Sequence, residues 1–273
     1  MSTLIFRGND RIQTLSPQDR GLMYGDGLFE TILIRNGKPL LLDEHLVRLQ
    51  RGCAVIGLEP DIIALHHEIS MLLAQPAARD SVLKIMLTRE ASGRGYRPLT
   101  AACNRLLTLH AAPDYRANSP EQGIAMFVCK QRLARQPVLA GIKHLNRLEQ
   151  VLASSEWPDD SFLEGLMLDT EGCVIEGTRT NVFAVIGGQL LTPMLDHCGV
   201  QGVMRDWLLQ RFGDMAGERR FTIGQLRAAR EVFVCSSVIG VWPVTQIQHG
   251  DERHNYSIGS HTRQAQAWLH ELN

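Results

Sequence analysis

The run GLFETILIRNGKPLLL, residues 27–42, constrains the fold of this chain more than any other stretch. Two β-rich segments flank Asn36-Gly37, the dipeptide that a two-residue type I′ hairpin asks for. DEHLVRLQRGCAVIG follows at once: Asp43 is placed to cap a helix with Leu46, Leu49, Cys53 and Ile56 on one face, and Gly57 ends it. A hairpin that runs straight into an amphipathic helix points to an α+β arrangement and away from a doubly wound sheet.

The rest of the chain keeps that pattern. LIFRG and RIQTL read as a short hairpin around Asn9-Asp10, and a second helix is expected from Asp61 to about Leu73. SVLKIMLTR and NRLLTLHA read as strands around the glycine-rich loop EASGRGYRP. Between His110 and Gly123 the text turns polar and proline-rich, as a linker between lobes does. Two lobes are therefore expected, residues 1–115 and residues 116–273. In the second, a strand IAMFVC and a loop lead to Lys143 and a helix marked by Leu145, Leu148, Val151 and Leu152. Strands EGLMLDT, CVIEG, NVFAVI and QLLTP follow, then helices near Gly202 and from Ile223 to Ala229, and one late strand, EVFVCSSVIGVWPV.

Composition narrows the function classes. The 273 residues carry a formal net charge of -1, which gives no electrostatic reason to expect nucleic acid or an anionic membrane as partner. No apolar run approaches the roughly 20 residues that span a bilayer, and MSTLIFRGNDRIQTL lacks the basic-then-apolar order of a signal peptide. The six cysteines are scattered without a CxxC pair, and the histidines show no ligand spacing on a shared helix face, so no metal is expected. Reduced thiols in the cytoplasm are the simplest expectation.

Four features carry potential chemistry. Lys143 follows Ala-Gly-Ile, apolar neighbours that permit the desolvation a nucleophilic lysine needs, although a surface lysine at a helix start reads the same way. Glu176 ends a short apolar strand; were it to meet a pyridine nitrogen, it would keep that nitrogen protonated. Arg48 lies between Leu46 and Leu49, where a phosphate would give its planar fork a bidentate partner. HCGVQGVMRDWLL places Gly202, Val203 and Met204 where a loop opens into a helix, an arrangement that aims N–H groups at an anion, and Ser236 and Ser237 end a strand with further donors. Each feature alone reads equally as ordinary structure.

Taken in order, YGDGLFET, EHLVRL, IKHLNRLE, EGTRTNVF and GVMRDWL resemble the fold-type IV pyridoxal phosphate enzymes, the aminotransferase class IV-like group, over nearly the whole chain. That family includes branched-chain aminotransferases, D-amino acid aminotransferases and 4-amino-4-deoxychorismate lyases. SGRGYRP and LAGIKHLNRLEQVL look most like the lyases, which release 4-aminobenzoate and pyruvate on the folate pathway. The resemblance implies a two-lobed α+β fold with pyridoxal 5'-phosphate between the lobes, usually in a homodimer. It assigns Lys143 as the Schiff-base lysine, Glu176 as partner of the pyridine nitrogen and Arg48 as phosphate ligand. Val203 and Met204 match the phosphate-cradling backbone, Ser237 a hydroxyl contact to phosphate and Ser236 a looser one. Arg147 departs from the tyrosine that branched-chain aminotransferases carry there, which weakens that reading. A substrate with two carboxylates needs further cations, for which Arg94 and Arg105 are candidates; Tyr24 and Phe29 are candidate walls of the cofactor's open face, or core packing. An aminotransferase on the same fold and a non-catalytic protein that binds the cofactor are the competing readings.

Overall fold

The computed structural model describes residues 2–91, 93–115 and 122–272. It divides into two units, Met1–Pro113 together with Ile142–Asn146, and Asp114–Gly141 together with Arg147–Leu272. The Pro113/Asp114 division falls inside the segment expected as a linker. The expected boundary at 115/116 meets residues 116–121, which lie outside the described residues.

Unit 1 contains β1 (Ser2–Arg7), β2 (Asp10–Ile12), α1 (Arg20–Tyr24), β3 (Gly27–Arg35), β4 (Lys38–Pro39), α2 (Leu42–Ile56), α3 (Ile62–Leu73), β5 (Ser81–Arg89) and β6 (Cys103–Ala111). The strands form one antiparallel sheet in the order β2-β1-β6-β5-β3-β4. Asn36 and Gly37 take φ values of 50° and 78°, the two left-handed residues of the expected hairpin. Strand alternation then sorts the faces. Leu28, Ile32 and Ile34 of β3 are buried with α2 packed on the strand, while Phe29 and Thr31 point to the other, half-buried face. Helix α3 packs on β6 and buries Leu65, Ile69 and Leu72; Asp61 caps it by accepting from the Ala64 N–H at 2.9 Å. Asp43 does not cap α2. Leu41 precedes that helix in a left-handed conformation, φ 54°, and Asp43 and Glu44 lie in the first turn, where they complement the helix dipole.

Arg105 also corrects an expectation. It is 2% exposed, on the β6 phase shared with Leu107 and Leu109. Its Nε donates to both Glu68 oxygens, at 3.0 and 2.9 Å, and its Nη2 to Glu68 Oε1 at 2.6 Å and the Gly8 carbonyl at 2.7 Å. A guanidinium so enclosed and paired is a structural brace between α3 and β6, and Arg105 is not placed to bind a substrate carboxylate.

Unit 2 contains β7 (Ile124–Leu133), α4 (Leu148–Ser154), β8 (Phe162–Asp169), β9 (Val174–Gly177), β10 (Asn181–Ile186), β11 (Gln189–Thr192), α5 (Val203–Phe212), β12 (Ala216–Glu218), α6 (Ile223–Arg227), β13 (Val232–Ser236), β14 (Gly240–His249), β15 (Glu252–Asn255) and α7 (Ser260–Leu269). Its mixed sheet runs β12-β11-β10-β13-β14-β7-β8-β9, with β15 on β14. Met126, Leu166, Val182, Val234, Trp242 and Val244 form its core. Two expectations change. The single late strand is a hairpin, because Ser236 Oγ accepts from the Ile239 N–H at 3.4 Å and Gly240 turns at φ 71°. The helix expected right after Lys143 starts only at Leu148, and its marking residues Leu148, Val151 and Leu152 are 70%, 62% and 49% exposed. Among the described residues no helix is long and apolar enough to cross a membrane.

Removing one partner of a buried ion pair strands the other charge, so Arg105→Ala and Glu68→Ala are each expected to lower stability by about 3–5 kcal/mol. Chemical denaturation checks this. The double change Arg105→Met with Glu68→Leu should recover most of the loss, and a double variant as weak as the singles would contradict the brace.

Candidate active site

Lys143 does not belong with the second lobe to which the sequence assigned it: Ile142–Asn146 sits in unit 1. The reason is backbone pairing. Strand β4 covers only the Ile34–Arg35 end of β3, which leaves the Gly27–Phe29 edge available. Phe29 N–H donates to the Lys143 carbonyl and Leu145 N–H to the Gly27 carbonyl, both at 3.0 Å, with Leu28 opposite His144. That antiparallel register puts Lys143 opposite Phe29 on the half-buried face, where Nζ stands 4.3 Å from the ring centroid.

The YGDG motif permits the approach. A Cβ on Gly27 would lie 2.2 Å from the Leu87 carbonyl oxygen and 2.7 Å from Leu145 Cδ1. Gly25 has φ 66°, and a Cβ there would lie 2.5 Å from Asn146 Oδ1, whose amide donates to the Gly25 carbonyl at 3.2 Å.

On the other face of β3 stands Glu30, flanked by α2. Arg48 Nε donates to Glu30 Oε1 at 2.8 Å and Nη2 to Oε2 at 2.5 Å, and His45 Nδ1 is 2.6 Å from the same Oε2. Burial raises the Glu30 carboxyl, but the charge and hydrogen bonds of Arg48 and those of His45 outweigh it and hold the pKa down to about 2. Burial lowers His45, and the nearby Arg48 and Lys143 charges add to that against the pull of Glu30. Arg48 is thus a buried arginine with a bidentate carboxylate partner, not the surface arginine of the default reading.

The remaining unit 1 candidates, Tyr24 and Arg94, belong to α1 and the glycine-rich loop. Tyr24 ends α1 with its ring 5.3 Å from that of Tyr96 and 4.9 Å from the Arg20 guanidinium carbon. Arg20 in turn donates to the Gly95 and Tyr96 carbonyls, at 2.9 and 2.6 Å, and so anchors the glycine-rich loop. Arg94 is exposed on that loop.

Unit 2 gathers another set. Glu176, in β9, is 4% exposed, and its Oε2 accepts from the Val200 N–H at 2.8 Å. The same stretch is tied to Gly141: Gly141 N–H donates to the Gly199 carbonyl at 2.9 Å and Gln201 N–H to the Gly141 carbonyl at 3.1 Å. Arg147 lies within the field of Glu176; burial lowers its pKa, and Glu176 and Glu149 oppose that. Val203 and Met204 open α5, whose N-cap, Gly202, offers no side-chain cap. First-turn N–H groups have no acceptor within their own helix. A Cβ on Gly202 would lie 2.0 Å from Asn181 Oδ1, so glycine is required there by crowding. Asn181 in turn donates to the Val200 carbonyl at 2.9 Å, holding the loop that leads into the helix. Ser236 and Ser237 are half-buried at the β13–β14 turn.

Residues 27–247 match the family described as Amino-transferase class IV. The chain belongs to that family. The class IV match is joined by a likeness to the aminodeoxychorismate lyase of Vibrio harveyi, 34% identical over 92% of this chain and 94% of that one. A putative branched-chain-amino-acid aminotransferase of Methanocaldococcus jannaschii is 29% identical over 90% of this chain and 86% of its own length. Among solved structures, the 4-amino-4-deoxychorismate lyase from Pseudomonas aeruginosa superposes with a TM-score of 0.91 at 42% identity, covering 99% of this chain and 98% of the other.

Within the class IV framework, Glu30 and His45 were missed as site residues although both lie in the quoted motifs. A signal existed: Glu30 shares the apolar phase of β3 with Leu28 and Ile32, and His45 lies one turn from Arg48 on the buried face of α2. Glu164 was missed too. Burial raises its pKa, and its Oε1 accepts from the Thr178 N–H at 2.9 Å and hydroxyl at 2.5 Å, bracing the turn after Glu176. Among the described residues no cluster of three or more metal-ligating side chains occurs.

A carboxyl depressed from 4.5 to about 2 contributes stability that is present above 4.5 and lost as pH falls toward 2. Denaturation across that window should therefore show a shallower pH slope for Glu30→Gln than for the unaltered protein. Parallel slopes would contradict the assignment of an ionised, paired Glu30.

Proposed function

We propose that this protein is a pyridoxal phosphate-dependent aminodeoxychorismate lyase, which converts 4-amino-4-deoxychorismate to 4-aminobenzoate and pyruvate. The observation that carries the proposal is the likeness, over nearly the full length of both chains, to a solved lyase of that name at 42% identity. Arg147, in place of the tyrosine of branched-chain aminotransferases, weakens the branched-chain aminotransferase reading.

The residues fit the cofactor by their chemistry. The amine of Lys143 suits the aldehyde carbon, and the buried carboxylate of Glu176 suits a protonated ring nitrogen. The bare helix start at Gly202–Met204 suits a phosphate, and Arg48, Ser236 and Ser237 would add donors. When bound, pyridoxal phosphate supplies an electron sink for the charge released at the carbon that bears the substrate amine. Glu176 holds the proton at the ring nitrogen on which that sink depends. Lys143 Nζ removes the proton from the amine-bearing carbon and returns one to the departing enolpyruvate, whose carbon–oxygen bond breaks as the substrate ring becomes aromatic. Phe29 shields the lysine on one side. Arg94 is the retained candidate for a substrate carboxylate, with Tyr24 beside its loop. A cytoplasmic homodimer is the proposed assembly, and the exposed apolar side chains of α4 would contribute surface to it.

The test is to supply the cofactor-loaded protein with 4-amino-4-deoxychorismate and follow both products, alongside Lys143→Ala. Equal amounts of 4-aminobenzoate and pyruvate are expected, with the substitution lowering the rate by at least the roughly 10²–10⁴-fold that a positioned acid–base group contributes. Cofactor-loaded protein that yields neither product, yet converts its cofactor to the amine form with an amino acid, would replace the lyase with an aminotransferase.

A further inference from the structure

Glu30, His45 and Arg48 form an enclosed cluster in unit 1, at 1%, 0% and 8% exposure. The guanidinium is planar and its donors are fixed relative to one another. With Nε and Nη2 on the two oxygens of Glu30, the carboxylate dictates the plane of the group and the direction of its remaining donors. Glu30 is itself held from a second side. Burial lowers the pKa of His45, against the pull of Glu30. An ionised carboxylate only accepts, so the imidazole proton lies on Nδ1 and is donated to Oε2. His45 Nε2 is buried and has no hydrogen-bond partner among the described residues. Among the described residues, the side chain of this histidine thus makes one hydrogen bond, to Glu30.

The charge balance sharpens the point. The Glu30 carboxylate offsets the charge of the Arg48 guanidinium with which it pairs. A carboxylate at this place weakens simple Coulomb attraction to a phosphate and would be counterproductive if attraction alone were needed. Its benefit is geometric.

We propose that Glu30, steadied by His45, is a positioning residue that fixes the guanidinium of Arg48 for the cofactor's phosphate. The inference depends on Arg48 binding that phosphate, and the test separates the two claims. Apo protein is titrated with pyridoxal 5'-phosphate and with pyridoxal, which lacks the phosphate, and the ratio of the two affinities is the readout. Arg48→Lys tests the phosphate contact. Glu30→Asp keeps the charge and shortens its reach by one methylene, so it tests position alone.

Both variants are expected to lower the preference for the phosphorylated compound roughly tenfold, the scale of one charge-assisted hydrogen bond, with pyridoxal affinity retained. An unchanged ratio in Arg48→Lys would overturn both claims. A reduced ratio in Arg48→Lys beside an unchanged one in Glu30→Asp would overturn the positioning claim alone. If Glu30→Asp also loses pyridoxal, His45 decides. A ratio reduced by His45→Ala and restored by His45→Asn, which keeps a donor for Oε2, supports positioning; equal ratios in the two overturn it.

Discussion

Phe29 donates its backbone N–H to the Lys143 carbonyl, and Leu145 donates to Gly27; on these bonds depends where the lysine stands. The chain leaves unit 2 at Gly141, pairs with the open edge of β3 through residues 143–145, and re-enters unit 2 at Arg147. A strand edge is a template that accepts any extended segment of suitable register. Here Gly25 and Gly27 clear the space, and the two-residue alternation of strands decides the face on which Lys143 emerges. A slip of one residue would turn the amine away from Phe29 and put His144 in its place.

The same strand serves two kinds of chemistry on its two faces. Phe29 and Lys143 share the half-buried face, while Glu30 and the helix residues His45 and Arg48 occupy the buried one. Placing an ion pair in an apolar layer costs desolvation, which only good geometry and further hydrogen bonds offset. Glu30 meets that condition, with both oxygens bonded to donors from α2. The cost is consistent with a cluster kept for orientation rather than for stability alone.

Much of this was legible in the sequence, because local periodicity and turn chemistry act over short spans. The Asn36-Gly37 hairpin, α2 and α3, and most strands follow from alternation, glycine turns and helical spacing, whereas the short edge strands β12 and β15 and the split of β13 from β14 do not. What escaped was long-range. The pairing of residues 143–145 with β3 joins segments more than a hundred positions apart, and nothing within HLNRLEQ announces it. Arg105 was read as a cation at the start of a strand, although its phase with Leu107 and Leu109 marked it as inward-facing. The apolar spacing of Leu148, Val151 and Leu152 signalled a real helix, but burial within the chain did not follow. Of the candidate site, the family motifs supplied the residues and the structure supplied their partners: Val200 for Glu176, Glu30 for Arg48, Phe29 for Lys143.

The central claim is that Lys143, held on the edge of β3, is the residue that bonds the cofactor. Borohydride reduction of the cofactor-loaded protein, followed by peptide mass spectrometry, addresses it directly. The account predicts a phosphopyridoxyl mass on the peptide that contains Lys143 and on no other lysine peptide. Stoichiometric labelling of a different lysine, with Lys143 unmodified, would contradict it.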